Sequence, residues 1–202
     1  MPRLSTELFA QRRQHVLTSA WQCFSRDGFH ATSMDDIIAA TGMSSSAVYR
    51  YFRSKDELID ASADEALVLL RGFFTRILDA EPTPTPAETI TALVDQLANR
   101  PAGLDYDMSK IAMYAWSEGL RRPELAVRTG AFYRDVHGYL TELALRWRTA
   151  GYPTADGNPE DVATVLVTLM PGLIVNQHLV DPVPADQLIS GLAALGAAAT
   201  MS

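Results

Sequence analysis

The segment spanning residues 33–55, SMDDIIAATGMSSSAVYRYFRSK, constrains the fold more than any other part of the chain. Ser33 is a favourable N-cap, and Gly42 can adopt the positive φ that ends a helix, so a short helix is predicted between them. Three consecutive serines then offer an N-cap for a second helix, expected from Ser45 to about Arg53. The segment therefore predicts a helix, a tight turn and a second helix.

The second helix of this segment has one apolar and one polar face. Val48 and Phe52 are spaced so that both point inward. The opposite face carries Ser45, Ser46, Tyr49 and Arg50. Small hydroxyl side chains admit close approach to a polar partner, and arginine reaches phosphates or base edges, so this face is predicted to contact DNA.

A third helix is predicted to begin directly afterwards. Ser54 and Glu57 have the spacing of a capping box, and the apolar pattern that follows continues to about Ala80. Lys55 lies at the start of this helix, where a cation is unfavourable unless an anion also binds there. A DNA phosphate would be such an anion.

The pattern G-x-S-x-x-x-x-Y-x-Y-F-x-S-K-x-E-L, from Gly42 to Leu58, resembles the TetR family of transcriptional regulators. The resemblance covers roughly residues 9–60 and implies that the helix beginning at Ser45 enters the major groove. It implies DNA contacts by Thr32, Ser33, Ser45, Ser46, Tyr49, Tyr51 and Lys55. Ser46 and Ala47 stand where a glycine is often found in the family, so no base preference is predicted.

The charge distribution agrees with a DNA-binding N-terminal region. The whole chain has a net charge of −7, which by itself argues against nucleic acid. Residues 1–55, however, hold seven Arg and Lys against four Asp and Glu, a net of +3, while the remainder has a net of −10. Arg12 and Arg13 are equally compatible with phosphate contacts and with solvated surface positions.

Helical periodicity continues along the whole chain, so an all-α fold is predicted. We expect a helix-turn-helix DNA-binding domain at residues 1–54, braced by a helix from about Thr6 to Asp27 that buries Cys23. A helical-bundle domain for effector binding and dimerisation is expected at residues 55–202. Its helix starts are predicted at Thr85, Asp105, Pro123 and Asn158, with a kink or a local break at Pro171–Gly172 and a last helix after Pro184.

The last two helices are predicted to form a homodimer interface. The helix from Val162 to about Leu179 is apolar on nearly every side and must be covered on two faces. The candidate interface residues are Val162, Leu166, Leu169, Leu173, Leu188, Leu192 and Leu195. The alternative is that these helices only close the core of the monomer.

The central helices carry bulky, adaptable side chains that are candidates to line an effector pocket. They are Phe74, Met108, Met113, Tyr114, Trp116, Phe132, Tyr133, His137, Met170 and Asn176. Ordinary core packing explains any one of them as well. No cofactor or metal is predicted, because the histidines lack ligand spacing and Cys23 stands alone.

The predicted function is a cytoplasmic, homodimeric transcriptional regulator, with no membrane partner, that binds a near-palindromic operator in double-stranded DNA and responds to a small molecule. A repressor is favoured, and an activator of the same architecture is the alternative. A helical enzyme or small-molecule-binding bundle without DNA binding is the alternative from a different class. The chain shows no phosphate-binding loop or nucleophile motif, so no enzymatic activity is predicted.

Overall fold

The computed structural model describes residues 6–98, 105–152 and 157–199, and the regular structure in these ranges is entirely α-helical. The helices are α1 (Thr6–Ala31), α2 (Met34–Thr41), α3 (Ser45–Val48), α4 (Lys55–Leu78), α5 (Pro86–Ala98), α6 (Met108–Gly119), α7 (Pro123–Thr149), α8 (Pro159–Leu179) and α9 (Ala185–Ala199). The all-α prediction is confirmed.

Most helix starts follow the capping signals in the sequence. At α5, Thr85 N donates to the Glu88 carboxylate over 2.8 Å and Glu88 N donates to Thr85 Oγ1 over 3.1 Å. Asn158 caps α8 by accepting from Glu160 N. These side chains satisfy backbone donors that the first helical turn leaves without a partner.

The predicted start of α6 and the predicted break in α8 are wrong. The N-cap of α6 is Asp107 and not Asp105, because the Asp107 carboxylate accepts a hydrogen bond from Ser109 N, in the first turn of the helix, over 3.0 Å. The helix α8 also continues through Pro171 without a break. A proline removes one backbone donor, and the remaining hydrogen bonds of a 21-residue helix maintain its continuity.

The chain divides into two compact units. The first unit comprises the described residues of Met1–Val68 and Ala102–Ala126, and the second those of Leu69–Pro101 and Val127–Ser202. The helix-turn-helix therefore shares its unit with α6 and with the first half of α4. Residues of α6 and of the start of α4, among them Ile111 and Leu58, belong to the same core as the helix-turn-helix.

The core of the first unit is built around α1, which packs against α2 and α6. Phe24, Val48 and Phe52 are completely buried in it, and Ile111 of α6 joins them at 0% exposure. Cys23 is 2% exposed and is surrounded by this core, and burial raises the pKa of its thiol. The prediction that Cys23 is a small buried hydrophobe is confirmed.

In the second unit, α5 packs against both α8 and α9. Phe74, Leu140 and Leu143 are completely buried there. The segment between α4 and α5 is held at two points, because Arg146 Nη1 donates to Leu78 O and Trp147 Nε1 donates to Pro84 O, both over 2.7 Å.

Candidate nucleic-acid interface

The helix α2 is held at both ends by residues that the sequence singles out. Ser33 Oγ accepts from Asp36 N, while the Asp36 carboxylate accepts from the hydroxyl and the backbone N–H of Ser33 at 2.6 and 2.8 Å. These two bonds lower the pKa of Asp36 below its ordinary value of 3.8, the hydroxyl contributing most. At the other end Gly42 has φ 63°, which ends the helix and begins the turn.

The segment after this turn has the two faces that the sequence predicts. Val48 and Phe52 are fully buried and anchor it to the core of the first unit. The four side chains on the other face are exposed: Ser45, Ser46, Tyr49 and Arg50. A short polar surface is thereby presented to solvent on a rigid support.

The regular part of α3 is shorter than predicted, since it ends at Val48 and not near Arg53. Val48 O accepts hydrogen bonds from both Tyr51 N at 2.9 Å and Phe52 N at 3.2 Å. Such shared acceptors are common where a helix tightens into a final turn. The tighter turn after α3 still buries Phe52, and α4 begins three residues later at Lys55.

Two residues that the resemblance assigns to DNA contact are buried in this structure. Thr32 is 1% exposed, and its hydroxyl donates to Gly28 O over 2.8 Å. Tyr51 is 6% exposed, with its ring 4.9 Å from that of Phe9. Because their side chains are enclosed, both residues support the interface from within the core of the first unit.

Lys55 has partners that its position in the sequence does not reveal. Its ammonium donates to Phe29 O at 2.8 Å and to Thr32 O at 2.9 Å. These carbonyls lie at the C-terminal end of α1, where the helix dipole favours a cation. Lys55 therefore ties the start of α4 to the end of α1, and the third N–H of its ammonium is left for another acceptor.

The N-terminus of α4 also differs in detail from the predicted capping box. Ser54 Oγ accepts from Glu57 N at 3.2 Å, as the pattern indicates. The Glu57 carboxylate, however, accepts from Arg53 N over 2.7 Å and not from Ser54 N. The bond to Arg53 stabilises the turn that joins α3 to α4.

The sequence did not predict how closely α6 packs against this region. The ring of Tyr114 lies against Gly28, where a Cβ would come within 3.3 Å of the ring. Gly28 has φ 80° and interrupts the regular geometry of α1, a conformation that favours glycine. Tyr114 was predicted to line an effector pocket, whereas the structure places it against α1. In the sequence, the glycine after Asp27 indicates that α1 is interrupted there, but it does not indicate that Tyr114 packs against this position.

The predicted effector-pocket residues do not form a single cluster within either unit. Met108, Met113 and Trp116 belong to α6 in the first unit, where Met108 packs against the core. The others lie in the second unit: Phe74, Phe132, Tyr133, His137, Met170 and Asn176. Phe74, Phe132 and Met170 are buried, as core side chains are.

Two polar members of this second group have identified partners. His137 Nε2 lies 3.1 Å from Thr164 Oγ1, which joins α7 to α8. Asn176 Nδ2 donates to Gly172 O over 2.9 Å, within its own helix. His137 therefore places polar atoms between α7 and α8.

The predicted dimer residues differ in how far their side chains are exposed. Leu166 and Leu173 are buried against the second unit's own core, whereas Leu195 is 69% exposed. The remaining four are half-buried: Val162, Leu169, Leu188 and Leu192. The choice of Leu166 and Leu173 as interface residues is corrected, since they face inward.

The outward face of α8 is a different stripe of the helix. It consists of Val165, Thr168, Gly172, Val175 and Leu179, all exposed and spaced by three or four residues. Apart from Thr168 and Gly172 this stripe is apolar, so the periodicity of the sequence does not separate it from the inner face. By length and composition α8 could also cross a membrane, but the core helices of soluble proteins are often as long and as apolar.

A helix, a tight turn and a second helix with an exposed polar face, set in the basic part of the chain, define a helix-turn-helix DNA-binding protein. Comparison with known proteins agrees. The family model described as bacterial regulatory proteins, tetR family, matches residues 16–62. A second model, described as the C-terminal region of BetI-type transcriptional repressors, matches residues 86–198.

Individual relatives match over most of the chain. The regulator UidR of Escherichia coli strain K12 is 27% identical over 189 residues, which are 91% of this chain and 90% of that protein. The repressor KstR2 of Mycobacterium tuberculosis strain CDC 1551 is 34% identical over 179 residues, 70% of this chain and 84% of that protein. A TetR regulator structure from Chloroflexus aurantiacus superposes with a TM-score of 0.71 at 23% identity, covering 96% of this chain and 97% of the other.

The chain belongs to the TetR family of transcriptional regulators. It is therefore a ligand-responsive, DNA-binding regulator of transcription. Regulators of this family bind operator DNA and small-molecule effectors and typically form dimers.

Proposed function

We propose that this protein is a homodimeric repressor that a small molecule releases from a near-palindromic operator. The observation that carries the proposal is the exposed polar face of Ser45, Ser46, Tyr49 and Arg50, held on the fully buried Val48 and Phe52. The matched models and relatives include proteins described as repressors, which favours repression over activation. A regulator of this kind acts in the cytoplasm, where the DNA of a bacterium lies.

The DNA contacts fall into two groups by the chemistry of their side chains. Ser45, Ser46 and Arg50 occupy the part of the segment that faces a major groove, where base edges are read. Tyr49, 44% exposed, and Ser33 have hydroxyls suited to phosphate oxygens. Lys55 joins this second group through its remaining N–H. We therefore expect the DNA-binding region to comprise residues 1–54 together with Lys55 at the start of α4.

A second copy of the chain is the proposed cover for the outward face of α8. Val165, Val175 and Leu179 are 49, 37 and 69% exposed, and Leu195 of α9 is equally accessible at 69%. In a two-fold dimer the same stripe of each copy meets its counterpart, so two recognition helices address two half-sites about one helical turn apart. The alternative, that α8 and α9 only close the monomer, leaves this apolar stripe in water.

We place the effector site in the second unit, among the six predicted residues that lie there. His137 supplies polar atoms between α7 and α8, and aromatic and Met side chains supply apolar surface. Release from DNA requires the effector to bind the DNA-incompetent state more tightly, and a coupling of about 1–3 kcal/mol is usual. Because such coupling is reciprocal, operator DNA must weaken effector binding by the same factor.

The experiment that tests the proposal is the selection of an operator from a random duplex library, followed by a reporter gene placed behind that operator. A repressor lowers expression of the reporter, and a palindromic consensus indicates a dimer. Raised expression would identify an activator. If the protein enriched no sequence from the library, operator binding would be refuted.

A further inference from the structure

A surface groove lies beside residues 45–52, called the recognition segment below, between the N-terminal half of α1 and the α2–α3 turn. Its volume is about 580 Å³. Leu8, Met43 and Ala47 provide apolar surface in it, while Gln11, Arg12 and Ser44 provide polar groups. The groove thus combines a small apolar surface with a cation, an amide and a hydroxyl.

The groove is continuous with the proposed DNA-reading face. Ser44 is the N-cap of α3 and immediately precedes the exposed Ser45 and Ser46. His15, which also lines the groove, donates from Nε2 to Thr41 O over 2.9 Å and so fixes α1 to the end of α2. A molecule that binds along α3 on this side would therefore also contact the groove.

The three arginines described on α1 differ in their partners. Arg26 forms a 2.7 Å ion pair with Asp27, and the guanidinium of Arg13 lies 4.6 Å above the centre of the Phe52 ring. Arg12 is exposed, and within the described part of the chain it forms no ion pair. Among the described residues, Arg12 is therefore the one of these three arginines whose guanidinium has no such partner.

We propose that this groove binds the sugar–phosphate backbone of DNA next to the half-site read by α3, with Arg12 donating to a phosphate oxygen. The planar guanidinium matches phosphate geometry, and the apolar surface of Leu8, Met43 and Ala47 suits the face of a deoxyribose. A contact of this kind positions the protein on DNA without reading sequence. The inference rests on the proposed function, and its test is separable from it.

The test compares Arg12→Ala with Arg26→Ala, two exposed arginines of one helix. Each variant is titrated against the operator duplex selected with the wild-type protein and against a mixed-sequence duplex, from 50 to 200 mM salt. Arg12→Ala should reduce the slope of log affinity against log salt by about 0.9 per phosphate contact, or about 1.8 for a dimer. The ratio of wild-type to variant affinity then falls by about 12-fold across this range, and Arg26→Ala should leave the slope unchanged.

A second pair of variants adds charge instead of removing it. Gln11→Glu places a carboxylate in the groove and should weaken binding to both duplexes, whereas Gln14→Glu adds the same charge at an exposed position that does not line it. A wild-type slope for Arg12→Ala, or equal effects within either pair, would overturn the inference and leave operator binding by α3 intact. Failure of the wild-type protein to select any operator would instead refute the proposed function.

Discussion

The recognition segment and α8 both expose side chains for which we propose a partner, but the two surfaces differ in size and polarity. α3 with its final turn is short and polar outside, and Val48 and Phe52 fix it from beneath. α8 is 21 residues long and apolar on both its inner and outer faces. The contrast shows two kinds of exposed surface in one chain: a small polar one on a buried support, for which we propose DNA as the partner, and an extended apolar one, for which we propose a second copy of the chain.

The largest effect is expected from a change at Phe52, the buried residue that supports the exposed polar face. Phe52→Ala should destabilise the protein by about 3–5 kcal/mol, because a fully buried aromatic ring leaves a cavity in the core of the first unit. Tyr49→Ala, on the exposed side, should change the free energy of unfolding by no more than about 0.5 kcal/mol. Chemical denaturation measures both, and similar losses would show that the two faces are not distinct.

The apolar surface can be disrupted by a single charge. Val175→Glu should convert the dimer to a monomer, since a carboxylate would lie unpaired in the interface. Affinity for a two-half-site operator should then fall by at least about 100-fold through lost bivalency. Light scattering and operator titration measure these changes.

Leu145→Glu is the matched control for that variant. Leu145 is 40% exposed, close to the 37% of Val175, but it lies on α7. It should remain a dimer. A dimeric Val175→Glu protein would remove the outward face of α8 from the interface.

How well the sequence predicted each surface depends on the contrast between its faces. In the recognition segment polar and apolar residues alternate with helical spacing, so the exposed set was identified correctly down to Arg50. In α8 both faces are apolar, and periodicity could not distinguish the inner Leu166 and Leu173 from the outer Val165 and Val175. The fold needed only the helical period, which is why it could be predicted throughout.

Long-range contacts explain the other differences between prediction and structure. No local pattern indicates that Lys55 meets the carbonyls of Phe29 and Thr32, which lie 26 and 23 residues earlier in the chain. Likewise, nothing near Tyr114 indicates that its ring packs against Gly28. Both contacts join segments that are far apart in the sequence, and helical periodicity does not indicate which helices pack together.

Lys55 should contribute to stability and to DNA binding together. Lys55→Met removes two charge-assisted hydrogen bonds and should cost about 2 kcal/mol of unfolding free energy. If the remaining N–H binds a phosphate, the salt slope also falls by about 0.9 per subunit. Lys110→Met, an exposed lysine of the same unit, should change neither. Lost stability with an unchanged slope would assign Lys55 to the capping of α1 alone.

The smallest effect concerns the Ser33–Asp36 cap at the start of α2. The pKa of Asp36 lies below its ordinary value of 3.8 because Ser33 donates two hydrogen bonds to the carboxylate. The ionised carboxylate therefore stabilises the fold above about pH 4, and this contribution is lost as the pH falls through 3.8 and below. Asp36→Asn should flatten the acid side of the stability profile, measured by thermal unfolding. Asp35→Asn, next to it, should not, and identical profiles would contradict the assignment.

The most direct test of the central claim is to repeat the operator selection with Ser46→Ala and Arg50→Ala. The account places both side chains on the exposed face where base edges pass. It predicts that each variant changes the preferred bases at corresponding positions of the two half-sites, at a cost of about 1–3 kcal/mol on the wild-type operator. If both variants select the wild-type sequence and bind every duplex more weakly by a uniform factor, the face holds phosphates and does not read the operator.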